Sequence, residues 1–443
     1  MNVFIFSIMA LQCLCWWIAR RSSRDMSTQS DYYLGGKGFS FFPLMMTFFA
    51  TQVGGGIVLG ASEEAFSWGW WVLFYPIGQV LGLIGLGAGI GKRLASYRVS
   101  TVAQIFEVFY DSPFLKRAAS LLSILSLFMI LIAQILASKK FMLSLGVDTL
   151  WIFYLFWGLL IAYTALGGIR AVVATDMIQA GVLIFFLFTA FFYAFWTQPP
   201  IALPETDFSP SKISGWLFMP FLFSFIEQDM GQRCFAAQSN RILSKATLGA
   251  ALLTFFIAFI PIYFGITGMQ LGLDRTSGGS ILMAAVSHTT TPALTALVGC
   301  AVLAAILSTA DSLINAIGSN LSQDFFRTSS LKTTKLLSIA IGAGALFSSS
   351  YFTNVLDLLI QSYEFTIAAL IVPLLAALFQ KRKGNLRSAL IAAIFGASGF
   401  ILFRLIPCPI PTDLAEIALS LLGYTASEAL FAFKLRRAEI PTH

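Results

Sequence analysis

Four polar stretches interrupt otherwise apolar sequence, and their residue types suit the holding of a cation and a small solute. Ala50-Thr51-Gln52-Val53-Gly54-Gly55-Gly56 sets an amide beside three consecutive glycines. Glycine gives up the most backbone freedom in a helix, so a helix is weakest there. A break would release backbone carbonyls and half-helix ends to a ligand. Glu227-Gln228-Asp229-Met230-Gly231-Gln232-Arg233 follows Pro220 and an apolar half. Thr175-Asp176 with Gln179, and Ser308-Thr309-Ala310-Asp311-Ser312 with Asn315, set carboxylates beside amides and hydroxyls. An ionised carboxylate at bilayer centre costs about 2.5–3.5 kcal/mol on insertion scales. Asp176 and Asp311 would therefore need a cation, a proton or a partner.

Each stretch also has a plainer reading. Small residues let helices pack closely. Serine and threonine bond back to carbonyls four residues earlier. Arg233 could end its helix at the aqueous face, its charge snorkelling to water. Gln361, Tyr363 and Glu364 could bond between helices. Gly78, Gly82, Gly85 and Gly89, spaced 4, 3 and 4 apart, read as a packing stripe.

The elements that position these residues follow from composition. Of 443 residues, 57% are hydrophobic and 11% charged, with 43 phenylalanines. Soluble domains carry about 25% charged residues, and one aqueous core cannot absorb so much apolar surface. The chain reads as an all-α polytopic membrane protein, a single transporter domain over 1–443 with no soluble module. Spans of ~20 apolar residues fall at 3–19, 41–62, 68–91, 116–138, 149–166, 171–196, 213–232, 245–270, 293–318, 333–350, 354–379, 386–406 and 414–434, about thirteen in all. The stretches 20–40, 92–115 and 271–292 are too short to fold alone.

Charge gives the orientation. Arg20, Arg21 and Arg24 follow the first apolar run, as in a retained helix whose N-terminus is outside. With that direction, 23 of 28 basic residues fall on the cytoplasmic side, including the C-terminal end. The net charge of +7 is thus a topology signal, and nucleic acid is excluded as a partner. Five cysteines without a C-x-x-C spacing and two histidines offer neither a disulfide framework nor a zinc site. His288 and His443 are badly placed for an intramembrane protease, so no enzyme is expected.

The core is 41–379, between a leading helix (3–19) and two trailing ones (386–434). The two stretches expected to break, in 41–62 and 213–232, open two consecutive five-helix sets. Five is odd, so the sets are inverted, and broken helices in matching positions mark the midplane site of a secondary transporter.

Three motifs then resemble the sodium:solute symporter family. They are Asp31-Tyr32-Tyr33-Leu34-Gly35-Gly36-Lys37, the run Gly167-Gly168-Ile169-Arg170 through Thr175-Asp176 to Gln179, and Ala304-Ala305-Ile306-Leu307-Ser308-Thr309-Ala310-Asp311-Ser312. They are most similar to the choline-transporter branch. The resemblance implies a LeuT-type 5+5 inverted repeat with core helices 1 and 6 broken. It implies a sodium site, with no other metal, made by the carbonyls of Ala50, Val53 and Ala305 and the hydroxyls of Ser308 and Thr309. It also implies a candidate second cation site at Asp176, Asp311 and Ser312. Substrate would lie against Gln52, Gly54, Gly55, Gly56, Glu227 and Tyr363. Where that branch carries tryptophans, this chain has Gln52 and Glu227. Losing two members of an aromatic cage points away from choline, to an amino acid or amine such as proline. The expected location is the bacterial inner (plasma) membrane, with sodium, a small solute and the bilayer as partners. Sodium symport of a choline/betaine-type or other solute, a proton-coupled carrier, a channel and a transporter-like sensor are the rivals.

Overall fold

The computed structural model describes residues 2–22, 28–144, 146, 150–197, 209–274, 279–326, 330–352, 355–406, 408 and 410–438. Arg24, Arg275 and Arg327, which enter the charge count, lie outside them.

The described chain is helical, and its ends are set by local chemistry. The leading helix α1 is Asn2–Ser22. The short α2, Gln29–Leu34, opens on a reciprocal cap between Thr28 and Asp31. Such caps satisfy amides that a first turn leaves without partners. The first half of the core comprises α3 (Phe41–Gln52), α4 (Ala61–Trp68), α5 (Phe74–Gly85), α6 (Gly91–Ser96), α7 (Val102–Tyr110), α8 (Pro113–Ser144) and α9 (Leu150–Thr197). The second comprises α10 (Pro210–Ile226), α11 (Gln228–Ala236), α12 (Asn240–Gln270), α13 (Ile281–Thr289), α14 (Pro292–Asn320), α15 (Leu331–Ser348) and α16 (Val355–Phe379). The trailing pair is α17 (Leu386–Leu405) and α18 (Thr412–Ala438). Thr291 caps α14 ahead of Pro292, and Asn385 caps α17.

Both expected breaks are present. Backbone leaves the helical conformation at Val53 (φ −97°, ψ 70°) and again at Glu227 (φ −62°, ψ 126°). The first break differs in detail from the expectation. It falls on Val53, whereas Gly55 is already helical (φ −56°, ψ −28°) and a wide turn over Gly56–Gly60 leads into α4. The three glycines serve approach: a Cβ on Gly54 would overlap Thr309, one on Gly55 would sit 2.8 Å from Ala137 Cβ, and one on Gly56 would meet Leu359.

The count of thirteen spans does not carry over directly. Eight helical stretches among the described residues are long and apolar enough to cross a bilayer. Expected spans 149–166 and 171–196 run together in α9, whose 48 residues are divided by Gly168 (φ 54°, ψ −166°). A straight helix of that length would reach about 70 Å, more than twice a bilayer's hydrocarbon core. The stretches 20–40, 92–115 and 271–292 hold α2, α7 and α13.

The bundle is apolar on its outside and encloses polar and charged side chains within an apolar core. Phe185, Phe192, Phe195, Trp196, Leu252 and Leu405 are exposed, whereas Asp176, Asp229, Asp311 and Arg233 are buried. That suits an integral, multi-pass membrane protein, whose outer solvent is hydrocarbon. Three glycines of the stripe pack as expected: Gly78 abuts the Leu217 carbonyl, Gly82 Ser224 and Gly85 Phe225, which seats α5 on α10; Gly89 (φ 143°) has nothing within 4 Å of a Cβ position and is not part of that packing. At one end of the core the two glycine-rich motifs meet. A Cβ on Gly168 would lie 2.6 Å from the Tyr32 carbonyl, Tyr32 OH donates to the Ala165 carbonyl at 3.2 Å, and Arg170 Nε donates to the Gly35 carbonyl at 3.3 Å.

Candidate functional site

The two breaks face one small cavity. Thr51, Gln52, Gly54, Gly56, Tyr75, Gln79, Ile130, Gln134, Glu227, Thr309, Leu359 and Tyr363 line about 20 Å³, room for about one water. Five of the six residues expected to touch substrate line it: Gln52, Gly54, Gly56, Glu227 and Tyr363. Gly55 does not; its N–H donates to Gln134 Oε1 at 2.7 Å. Gln134 therefore caps the half-helix that starts after the break. Among the lining residues Glu227 is the one acid, and none is basic.

Several lining groups have hydrogen-bonding capacity to spare. Thr51 Oγ1 and Gln79 Oε1 are buried without a partner. Gln52 Nε2 reaches Ser224 Oγ only at 3.5 Å and Met230 Sδ at 3.7 Å. Tyr363 stacks on Phe223 with centroids 4.4 Å apart, which fixes its ring in the wall. Gln79, Gln134 and Tyr75 escaped the sequence reading. The available signal was an amide inside an apolar run, as in Ile132-Ala133-Gln134-Ile135.

Beside this cavity, four of the five expected sodium ligands converge. Ser308 Oγ donates to the carbonyls of Ala50 at 3.2 Å and Ala305 at 3.0 Å. Thr309 Oγ1 donates to the carbonyls of Ala50 at 3.3 Å and Thr51 at 3.4 Å. Val53, the fifth, sits at the break itself. These are neutral oxygens from α3 and α14. Because Thr309 also lines the cavity, cluster and cavity share a wall.

The residues expected to form a second cation site are arranged otherwise. Asp176 Oδ2 accepts from Thr47 Oγ1 at 2.5 Å and pairs with Arg233 Nη2 at 3.5 Å. The same Nη2 donates to Ser312 Oγ at 2.7 Å. Asp311 Oδ2 accepts from Tyr163 OH at 3.1 Å, and its Oδ1 is buried without a partner. Arg233 is only 1% exposed, so it does not snorkel to the aqueous face and drops out of the charge tally. Glu364 pairs with Arg404 of α17 at 2.7 Å, the interhelical reading of that stretch.

With this geometry in view, comparison with known proteins is informative. The sequence model of the Sodium:solute symporter family matches residues 32–198. The sodium/pantothenate symporter of Haemophilus influenzae is 25% identical over 66% of this chain and 65% of its own length. The osmoregulated proline transporter of Bacillus subtilis is 27% identical over 38% of this chain and 35% of its own. The chain thus spans less than two-thirds of the length of either. The high affinity choline transporter 1 of Mus musculus is 25% identical over 86% and 72%. Among solved structures, that of a Na+-coupled sialic acid symporter in a substrate-bound outward-open state superposes with a TM-score of 0.78 at 18% identity, over 97% of this chain and 98% of that one. At that identity the superposition shows a shared fold. Over residues 32–198, which take in most of the first motif and all of the second, the chain is thus similar to the sodium:solute symporter family, and it shares the fold of a Na+-coupled sialic acid symporter.

Proposed function

We propose that the chain is a sodium-coupled symporter that takes up a small solute bearing a protonated amine, an amino acid such as proline being the leading candidate, by alternating access. The supporting observation is the cavity at the junction of the two breaks, with Glu227 as its one carboxylate. A partly buried carboxylate in a cavity lined by no basic residue favours a cationic group on the ligand. The free hydrogen-bonding groups of Thr51 and Gln79 suit an amine's N–H donors and a carboxylate's neighbours. A pantothenate-like anion would meet repulsion from Glu227 and find no basic partner.

The coupling follows from the shared wall. Sodium entering from outside displaces the Ser308 and Thr309 hydroxyl hydrogens from the Ala50 and Ala305 carbonyls, and the oxygens turn to the ion. This ties α3 to α14 beside Gly54 and Gln52 and sets the break that the solute contacts. One charge crossing 100 mV supplies about 2.3 kcal/mol, before any concentration gradient. The cavity admits about one water, so it must widen to load a solute and close again behind it. The distribution of basic residues supports an N-terminus outside and a C-terminus in the cytoplasm.

Sodium-driven uptake into proteoliposomes tests the reading, with a panel of amino acids, choline, betaine, pantothenate and sugars. Saturable, sodium-dependent uptake of an amine-bearing solute is expected. Preference for pantothenate or a sugar, or uptake driven by a pH gradient without sodium, would overturn it. A second reading, quaternary-ammonium transport, draws on the rings of Tyr75 and Tyr363 in the wall, and choline preferred over amino acids would establish it.

A further inference from the structure

We infer that the crevice between α10, α16 and α18 seats one amine-bearing phospholipid of the cytoplasmic leaflet, its head held between Glu428 and Arg93. The crevice holds about 480 Å³, against about 20 Å³ in the cavity at the two breaks. Its walls are apolar over most of their height, with Leu222 on α10, Ile371 and Leu375 on α16, and Ile417 and Leu421 on α18. Leu421 and Phe379, which also line it, are exposed, so it opens towards the bilayer. From Ile417 to Glu428 α18 spans about 16 Å, close to half of a bilayer's ~30 Å hydrocarbon core. That is the height of one leaflet. A helix about 10 Å across would need more than twice the volume over that length, so an acyl chain fits where a second helix does not.

The polar lining residues gather at one end: Gln380, Tyr424, Thr425 and Glu428. Three of them are engaged within the protein. Tyr424 OH donates to Gln380 Oε1 at 3.2 Å, and Thr425 Oγ1 donates to the Leu421 carbonyl at 2.8 Å. Glu428 Oε1, in contrast, is buried without a hydrogen-bond partner. At the same end the Arg93 guanidinium lies over the ring of Phe379, 4.4 Å from its centroid. Lys381, Arg382 and Lys383 follow α16 there and are exposed. These basic residues mark the side that charge distribution reads as cytoplasmic. The mouth thus offers a carboxylate on one wall and cations on another. A phosphoethanolamine head carries the complementary pair. Its phosphate suits the basic side, and its ammonium brings N–H donors to Glu428 for a charge-assisted bond. A choline head brings a cation without N–H donors, and a glycerol head brings hydroxyls without a cation, so neither matches Glu428 as well.

Lipid retention by the full chain, purified in detergent and read by native mass spectrometry, tests the seat. Phosphatidylethanolamine, phosphatidylglycerol and phosphatidylcholine with the same acyl chains are offered in turn. Wild type should keep one phosphatidylethanolamine per chain and prefer it to the other two by about tenfold, the scale of one hydrogen bond to a charged group. Glu428→Gln should bring the three lipids to similar retention. Leu421→Trp, which fills the apolar part, should lower retention of all three, whereas Leu336→Trp, on the exposed face of α15, should change nothing. Glycerophosphoethanolamine, the head without its chains, should compete poorly. Should Glu428→Gln fail to accumulate, the wild-type preference and Leu421→Trp still decide. Equal retention of the three lipids by wild type would mean an annular layer only and would overturn the inference, as would retention of none. A preference for phosphatidylethanolamine that survives Glu428→Gln overturns it, and so does retention that Leu421→Trp leaves intact. Strong competition by the free head would move the site out of the crevice and overturn it as well.

Discussion

Two clusters sit within one helical turn of each other on α14, and they solve opposite problems. The Ser308–Thr309 cluster contains neutral oxygens that bond one another, hydroxyl to carbonyl, across α3 and α14. The Ser312–Asp176–Arg233 cluster contains a carboxylate and a guanidinium with side-chain exposures of 0% and 2%. The first lacks a charge, and the proposed sodium ion would bring one. The second carries both signs, and Asp176 Oδ1 in it is buried without a partner. Both clusters are rich in oxygen at membrane depth, and they differ in that one of them also contains a guanidinium from the chain itself.

Arg233→Met tests the contrast most severely. Removing one partner of a buried pair leaves an uncompensated charge and typically costs about 3–5 kcal/mol. In sodium-free potassium buffer the detergent-solubilised protein should lose much of its thermal stability. Arg233→Met with Asp176→Asn should recover most of it, because replacing a whole buried pair by uncharged groups is often neutral. Equal losses in the single and double variants would show that the guanidinium acts by packing rather than by charge.

The second-largest effect is expected at Gln134, which meets the first half-helix after its break as Arg233 meets Asp176. Gln134→Leu strands the Gly55 N–H, and a buried donor without an acceptor costs about 1–3 kcal/mol. Melting temperature and maximal uptake should both fall, while Gln134→Glu, which keeps an acceptor oxygen, should retain more of each. Loss of uptake with unchanged melting would place Gln134 on the solute instead of on the backbone.

The neutral cluster should respond in sodium requirement, not in stability. Ser308→Ala or Thr309→Ala removes one oxygen of several. A tenfold rise in half-saturating sodium corresponds to about 1.4 kcal/mol, and that is the expected scale in a sodium titration of uptake. Wild-type sodium dependence in both variants would dissolve the distinction between the clusters.

How much of this was legible beforehand depended on distance along the chain. Hydropathy located the helices, and polar residues at membrane depth located the two breaks and most of the cavity. The break at Glu227 was readable because Glu227 interrupts an apolar run. The exact bend at Val53 was not, because a triple glycine signals weakness or close approach equally well, and Thr309, 255 residues away, decides between them. Arg233 was misplaced for the same reason. On its own helix it ends a polar stretch, as a snorkelling residue would; only the fold shows Thr47, Asp176 and Ser312 closing around it. The acids of the outer ends were obscure too, since Glu63 pairs with Lys140 and Glu364 with Arg404 across helices that are far apart in sequence.

That last pair gives the smallest expected effect and the control for the others. Glu364 and Arg404 bond at 2.7 Å, closer than Asp176 and Arg233 at 3.5 Å, yet the Arg404 side chain is 39% exposed. If distance governed the energy, Glu364→Gln should be the more damaging variant. If burial governs it, Glu364→Gln should cost only about 0.2–1 kcal/mol, the range of exposed pairs, because water and Glu416, 3.6 Å from Arg404 Nη1, can take over the guanidinium. Melting curves of Glu364→Gln beside Arg233→Met separate the two. A larger loss in Glu364→Gln would mean that α17 is held to α16 by this charge, and that the trailing helices belong to the working core.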